Sequence, residues 1–167
     1  MVRDGKVVEK NPVYHSCVLL VNDILKSKHF YNTVLGQEIE NDFGRNVFFK
    51  GGFSIWKKDY ALNLIFQENA TDTPVGGNNF EVYFETEDIN MLYQRLVKKV
   101  KIIHSILEHP WGQRAFRVRD PDDHIIEFAE TMESVIKRLN MQGWDLEEIA
   151  KKSMMPLKFI KITLKKQ

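Results

Sequence analysis

Two glutamates, Glu81 and Glu127, are the residues best suited to chemistry in this sequence. In FEVYFET (residues 80–86), alternation puts Phe80, Val82 and Phe84 on one face of a strand and Glu81, Tyr83 and Glu85 on the other. In HIIEFAE (124–130), Ile126 and Phe128 take the buried face, while Ile125, Glu127 and Ala129 take the open one. Carboxylates that converge in a cleft repel each other and lose solvent, so one of them acquires a raised pKa suited to acid–base or ligand-binding work. On a wide sheet face they would instead be solvated charges, or partners of Arg114 or Arg117. Arg114 suits either a clamp on a substrate carboxylate or phosphate, or a structural ion pair with an acid on a neighbouring strand. Phe49, Phe53, Trp56 and Trp111 as a group fit an apolar pocket for a flat or aromatic ligand, although for each one ordinary packing is the default.

Other chemistries have little to stand on. His29, His104, His109 and His124 lack metal-ligand spacing, and His124 follows Asp122-Asp123 in what reads as a structural turn. Cys17 falls on the buried side of its strand and reads as an inert core thiol. The sequence has no Ser/His/Asp arrangement, phosphate-binding glycine loop or dinucleotide fingerprint.

The elements that position these residues come in two similar rounds. YHSCVLLV (14–21) reads as a buried strand, with Ser16 and Val18 on its open face and Cys17, Leu19 and Val21 towards a helix. Asp23 stands at an N-cap before ILKSKHFYNTVL, whose apolar face is Ile24, Phe30, Tyr31, Val34 and Leu35, and Gly36 ends the helix. Strand-like segments QEIEN, NVFFKGGFSIW and ALNLIFQ follow, and residues 70–79 form a linker. The order then repeats: FEVYFET, a helix capped by Asp88 and carrying Ile89, Leu92, Leu96 and Val97, then HSILEH, AFRVRD and HIIEFAE. Matching Asp23-Ile24 to Asp88-Ile89 gives an offset of 65 residues, from 88 − 23. The pattern predicts an α+β fold of two tandem βαβββ modules, residues 13–69 and 80–131, forming a concave mixed sheet around a cleft.

The whole chain, 167 residues with 43% hydrophobic and 28% charged content, is an ordinary globular composition. No apolar run approaches the ~20 residues of a membrane span. One cysteine excludes an internal disulfide framework, and with a polar N-terminus this reads as cytoplasmic. Residues 132–167 form a basic helical extension with eight Lys/Arg against four acids, or +4, which leaves the first 131 residues at −3 for a total of +1. Within it ESVIKRLNM, LEEIAKKS with an Asp145/Glu148 capping box, and LKFIKITLKK after Pro156 read as three helices. QGWDLEEIAKKSMMPLKFIK loosely resembles the helix-turn-helix segments of small bacterial DNA-binding modules, which would make the chain a ligand-responsive regulator. The scattered basic residues point away from nucleic acid and favour a cover for a module or a dimer partner.

VLLVNDILKSKHFYNTVLGQE resembles the opening of vicinal-oxygen-chelate proteins, the superfamily of glyoxalase I, bleomycin-resistance proteins and extradiol dioxygenases. HPWGQRAFRVRDPDDHIIEFAE resembles its closing strands more specifically, through Pro110-Trp111-Gly112, Arg114, Asp120-Pro121-Asp122 and Glu127, and the likeness spans about residues 13–131. The resemblance implies a cleft holding one divalent ion (Mg, Mn, Ni, Zn or Fe) on the first and last strands of each module. By register those positions are Ser16, Asn63, Glu81 and Glu127, with His15 able to replace Ser16 only through a bulge. Ser16 and Asn63 depart from the His, Gln or Glu of a family metal site, leaving an oxygen-only, incomplete set. Two functions are thereby implied. One is a binding protein for a small, partly aromatic molecule, using Ser16, Asn63, Phe49, Phe53, Trp56, Tyr83, Trp111 and Arg114. The other is a metal-dependent lyase, isomerase or dioxygenase of the glyoxalase type, with Glu81 and Glu127 as metal ligands and catalytic groups. A homodimer is the expected assembly.

Overall fold

The computed structural model describes residues 11–165, so most of the polar N-terminal stretch, and Lys166 in the tail, lie outside the described residues. Strand β1 (Cys17–Val21) runs into Asp23, whose carboxylate accepts from the Leu25 and Lys26 amides and starts α1 (Ile24–Lys28). The helix continues as a π-helical turn over His29–Val34, closed by the Leu35 amide on the Phe30 carbonyl, and Phe30, Tyr31 and Leu35 are all buried. Strands β2 (Ile39–Asp42), β3 (Asn46–Phe49) and β4 (Phe53–Lys57) complete a four-stranded sheet in the order β1-β4-β3-β2, with β1 parallel to β4 and the rest antiparallel.

One sequence expectation fails here. ALNLIFQ is no strand: it lies in helix α2 (Lys58–Phe66), and NVFFKGGFSIW supplies two strands instead of one. Gly51 and Gly52, both at positive φ, reverse the chain between β3 and β4, so the sheet is complete before Ala61 is reached. Ala61 and Leu62 are buried where α2 lies along β1 and β4, while Leu64, Ile65 and Phe66 are exposed.

The second module repeats the plan. Strand β5 (Glu81–Thr86), helix α3 (Ile89–Leu96) capped by Asp88, and strands β6 (Lys101–Glu108), β7 (Arg114–Arg119) and β8 (Ile125–Glu130) form a sheet ordered β5-β8-β7-β6. Here too the first and last strands are parallel and the other pairs antiparallel. The observed architecture is therefore α+β with two βαβββ modules, as the repeat predicts.

One apolar cluster joins the modules, with Leu19, Val21, Tyr31, Phe49 and Ile55 from the first and Val82, Ile89, Leu96, Phe116 and Ile126 from the second. Across the seam the Phe53 and Phe84 rings meet edge-on at 5.8 Å. The turn Asp120-Pro121-Asp122 adds polar ties. Asp120 accepts from the Tyr31 hydroxyl at 2.7 Å and from His124 Nδ1 at 2.9 Å. Asp122 accepts from the Asn22 amide and side chain and from Ser27 Oγ, all within 2.9 Å. Burial by itself would raise the Asp120 carboxyl, but the bonds from His124 and Tyr31 prevail and hold it below the ordinary carboxylate value. The linker is clasped by the same turn: a Cβ on Gly76 (φ +75) would sit 2.2 Å from the Asp122 carbonyl oxygen.

The tail forms α4 (Met132–Met141), α5 (Leu146–Ser153) and α6 (Leu157–Lys165), and the Asp145/Glu148 capping box is present. These helices have their own core of Val135, Ile136, Leu139, Ile149 and Ile160. Their anchor on the second module is Glu130, 2% exposed, which binds Arg114 (2.6 Å) and Arg138 (3.0 Å). Burial would raise this carboxyl as well, but the two guanidinium groups outweigh it and hold it below its usual value.

Candidate functional site

Cross-strand register brings four polar side chains into one rung on the open face of the second sheet. Tyr83 on β5 pairs with Glu127 on β8, Glu127 with Arg117 on β7, and Arg117 with His104 on β6. Arg117 is the hinge of the group. Its Nε donates to Glu81 at 2.9 Å and its Nη2 to Glu127 at 2.7 Å, while Nη1 lies 3.4 Å from His104 Nε2. The two carboxylates thus converge, as strand alternation predicts, but with a guanidinium between them.

Their environments differ. Glu127 is 6% exposed. Burial pushes its carboxyl up, Arg117 opposes, and the neighbouring Glu81 pushes it further up. Glu81 is held low, first by the hydrogen bond from Arg117. His109 stacks on Trp111 (4.5 Å between centroids) and places Nε2 3.5 Å from the second Glu127 oxygen. That nitrogen is buried and makes no hydrogen bond. Trp111 Nε1 donates to Gln113, and Gln113 Nε2 donates to the Tyr83 hydroxyl at 2.9 Å. Burial and the Glu85 carboxylate push that hydroxyl up to about 12, so it stays protonated and donates to Glu85 at 2.9 Å.

Glu81, Tyr83 and Glu85 also form one wall of a groove of about 510 Å³ at the seam, with Tyr14, Gln37, Lys50 and Phe53 opposite. Phe80, half-exposed, closes one end, and the volume suits a small organic molecule.

The other expected residues are placed differently. Phe49 (1% exposed) and Phe53 (4%) are register partners on the core side of the first sheet, stacked at 4.7 Å, and only Phe53 also reaches the groove. The glycine turn sets that phase. Trp56 lies on the opposite face, near Tyr60 in a separate hollow with Phe43 and Phe48. Arg114 is taken up by Glu130, the ion-pair alternative. Asn63 is exposed on α2, away from the last strand, because its segment is helical. The repeat offset puts Val18 opposite Tyr83 (83 − 65), and Val18 pairs with Ser54 as Tyr83 pairs with Glu127. Ser54, fully buried, is therefore the first module's counterpart of Glu127. Ser16 precedes β1 and is half-buried. Arg117, His104, His109 and Gln113 were not singled out from sequence as site residues. Arg117 faces the open side because it alternates with the buried Phe116 and Val118.

A divalent ion does not fit this donor set. Both retained carboxylates are bound to Arg117, the first module offers Ser54 where a ligand is needed, and no group of three His, Cys, Asp or Glu among the described residues is arranged to hold an ion.

Two βαβββ modules with parallel first and last strands and a polar rung on the open face define a protein of the vicinal-oxygen-chelate class. The chain belongs to the glyoxalase-like domain family, whose model matches residues 14–133. It is 30% identical over 129 residues to a bleomycin resistance protein of Geobacillus stearothermophilus, covering 70% of this chain and 95% of the relative. Among solved structures it is similar to a protein of unknown function from Agrobacterium tumefaciens str. C58, with 34% identity, a TM-score of 0.69, and 74% and 98% of the two chains covered. A lactoylglutathione lyase from Agrobacterium tumefaciens shares the fold at 19% identity and TM-score 0.56, over 72% and 95% of the chains.

Proposed function

We propose that the protein sequesters a small, partly aromatic, positively charged molecule in the seam groove without help from a metal. The observation that carries this reading is the groove wall itself. Glu85, bonded among the described residues only to the Tyr83 hydroxyl, stands on that wall with the Tyr83, Phe80 and Tyr14 rings, a setting in which a carboxylate and aromatic faces both attract a cation, while Glu81 beside it is shared with Arg117. Lys50, the basic residue opposite, is engaged by Glu38. The bleomycin-resistance relative supports binding as the task. A second reading rests on Glu127, whose buried carboxyl with raised pKa beside His109 fits a general acid in metal-free chemistry. The metal-dependent lyase, isomerase or dioxygenase finds no support in the donor set. The same proposal includes a homodimer in the cytoplasm, supported by the adjacent exposed Leu64, Ile65 and Phe66 on α2 and by the free thiol of Cys17. A sedimentation run showing the monomer alone overturns the dimer.

The test is a titration with metal-free bleomycin, read by intrinsic fluorescence, beside a neutral planar aromatic of similar size. We expect saturable binding of the cationic probe only, weakened about tenfold or more in Glu85→Gln/Phe80→Ala. Equal binding by that variant, or no saturation in the wild type, overturns the proposal.

A further inference from the structure

The ligand-binding reading uses nothing beyond residue 131, yet the tail is built like a module of its own. The family match ends at residue 133, and 70% of this chain already covers 95% of the Geobacillus relative. Helices α4, α5 and α6 each pack on the other two around a shared core, and their chief contact with the sheets is α4 on β8. The tail thus has a core of its own and touches the second module through α4 and through Arg138 and Lys152.

Helices α5 and α6 are joined by three residues, Met154 to Pro156. Met154 is left-handed (φ 58, ψ 18), a conformation that ends a helix and redirects the chain although no glycine supplies it. Ser153 is buried, and its hydroxyl donates to the Ile149 carbonyl while accepting from the Met155 amide, fixing the turn. Ile160 is fully buried against α4 and α5, and Thr163 is also buried. The opposite face of α6 presents Leu157, Lys158, Lys161, Ile162 and Lys165 to solvent. This helix carries no acidic residue, and Lys151 of α5 is exposed as well. The acids of α5, Glu147 and Glu148, lie in its first turn, and the first 131 residues carry −3.

We propose that α5, the three-residue turn and α6 form a helix-turn-helix that places the Lys158–Lys161–Lys165 face of α6 in the major groove of double-stranded DNA. Two short helices joined by a tight turn, the second basic on its solvent face, are the geometry that groove accepts. The lysines neutralise phosphates, and Leu157 and Ile162 are placed to touch base edges. This proposal is independent of what the seam groove binds.

The test uses the full chain and a labelled random-sequence duplex of about 30 base pairs, read by fluorescence anisotropy from about 50 mM salt upward. Two exposed lysine pairs are compared, Lys158→Glu/Lys161→Glu on α6 and Lys98→Glu/Lys99→Glu beyond α3, so that net charge changes equally. We expect the wild type to bind with an affinity that falls steeply with salt. The α6 variant should bind about tenfold or more weakly, with a salt slope lower by about 2, and the other pair should stay within about twofold. Circular dichroism should be the same for all three. The proposal is overturned if the wild type leaves the duplex unbound at low salt, if both lysine pairs matter equally, or if only single-stranded RNA is bound.

Discussion

Val18, Ser54, Phe48 and Asn41 cross the first sheet on the rung where Tyr83, Glu127, Arg117 and His104 cross the second. The buried sides of the two sheets are alike: Leu19 and Val21 match Phe84 and Thr86 under the 65-residue offset, and Asp23 and Asp88 cap equivalent helices. The open sides have parted company. In the first module α2 lies along β1 and β4, and Ser54 is fully buried. In the second the rung stays polar and borders a groove. The difference teaches that the core side of a duplicated βαβββ unit is constrained by packing, while the open side is free to become either a second packed layer or a site.

The comparison breaks most sharply if the first rung is given the second's chemistry. Ser54→Glu places a carboxylate at a fully buried position with no Arg117 equivalent, and should cost about 3–5 kcal/mol in urea denaturation at neutral pH. A cost below about 1 kcal/mol would show that α2 lifts away and that the two open faces are more alike than the packing implies. Next in size is Arg117→Ala, which leaves Glu81 and Glu127 facing each other without a cation. It should lower stability by about 2–3 kcal/mol at neutral pH. In this variant, unlike the wild type, added Mn or Zn should raise Tm, because the ion replaces the guanidinium; a flat metal titration would sink that account. Asp122→Ala removes three bonds to the first module and should cost about 2 kcal/mol, with both modules still unfolding together by circular dichroism and fluorescence.

The smallest effect is expected from Glu127→Gln, read as a pH dependence. The folded pKa of Glu127 is raised, so its stabilising contribution relative to the variant is complete below the unfolded value of about 4.3 and is lost as pH rises through the folded value. Wild type should therefore gain on the variant as pH falls from 7 into that window. Parallel stability curves would show that Arg117 fully offsets the burial.

The repeated cap-and-strand pattern made the modules readable, because helix starts and buried alternation are local signals. ALNLIFQ escaped because an apolar run with only Asn63 interrupting it has no clear period, and what decides it is the count of strands already in the sheet. Glu81 and Glu127 were legible as an open-face pair, since both follow from alternation. Arg117 was legible as one of two candidate partners, but its place between both carboxylates was not, because it lies 10 residues from one and 36 from the other and only strand pairing brings it there. Phe49 reads as a groove residue only for want of the turn phase that Gly51-Gly52 imposes, which turns it to the core, whereas Phe53 reaches both core and groove. The left-handed Met154 likewise has no signature in its residue type.

Arg138 reaches back from α4 to Glu130 and to the Gly112 carbonyl, so the last strand and the tail are stitched by a contact that neither owns alone. A chain trimmed after Thr131 would keep every strand and leave the Glu130 carboxylate, 2% exposed beneath the tail, with Arg114 as its remaining counter-ion. The tail is thus not a detachable cassette. Transplanting it onto a shorter relative means carrying Glu130, Arg138 and the Gly112 turn as one piece, and a graft made at the helix boundary would inherit a hidden charge without its second counter-ion.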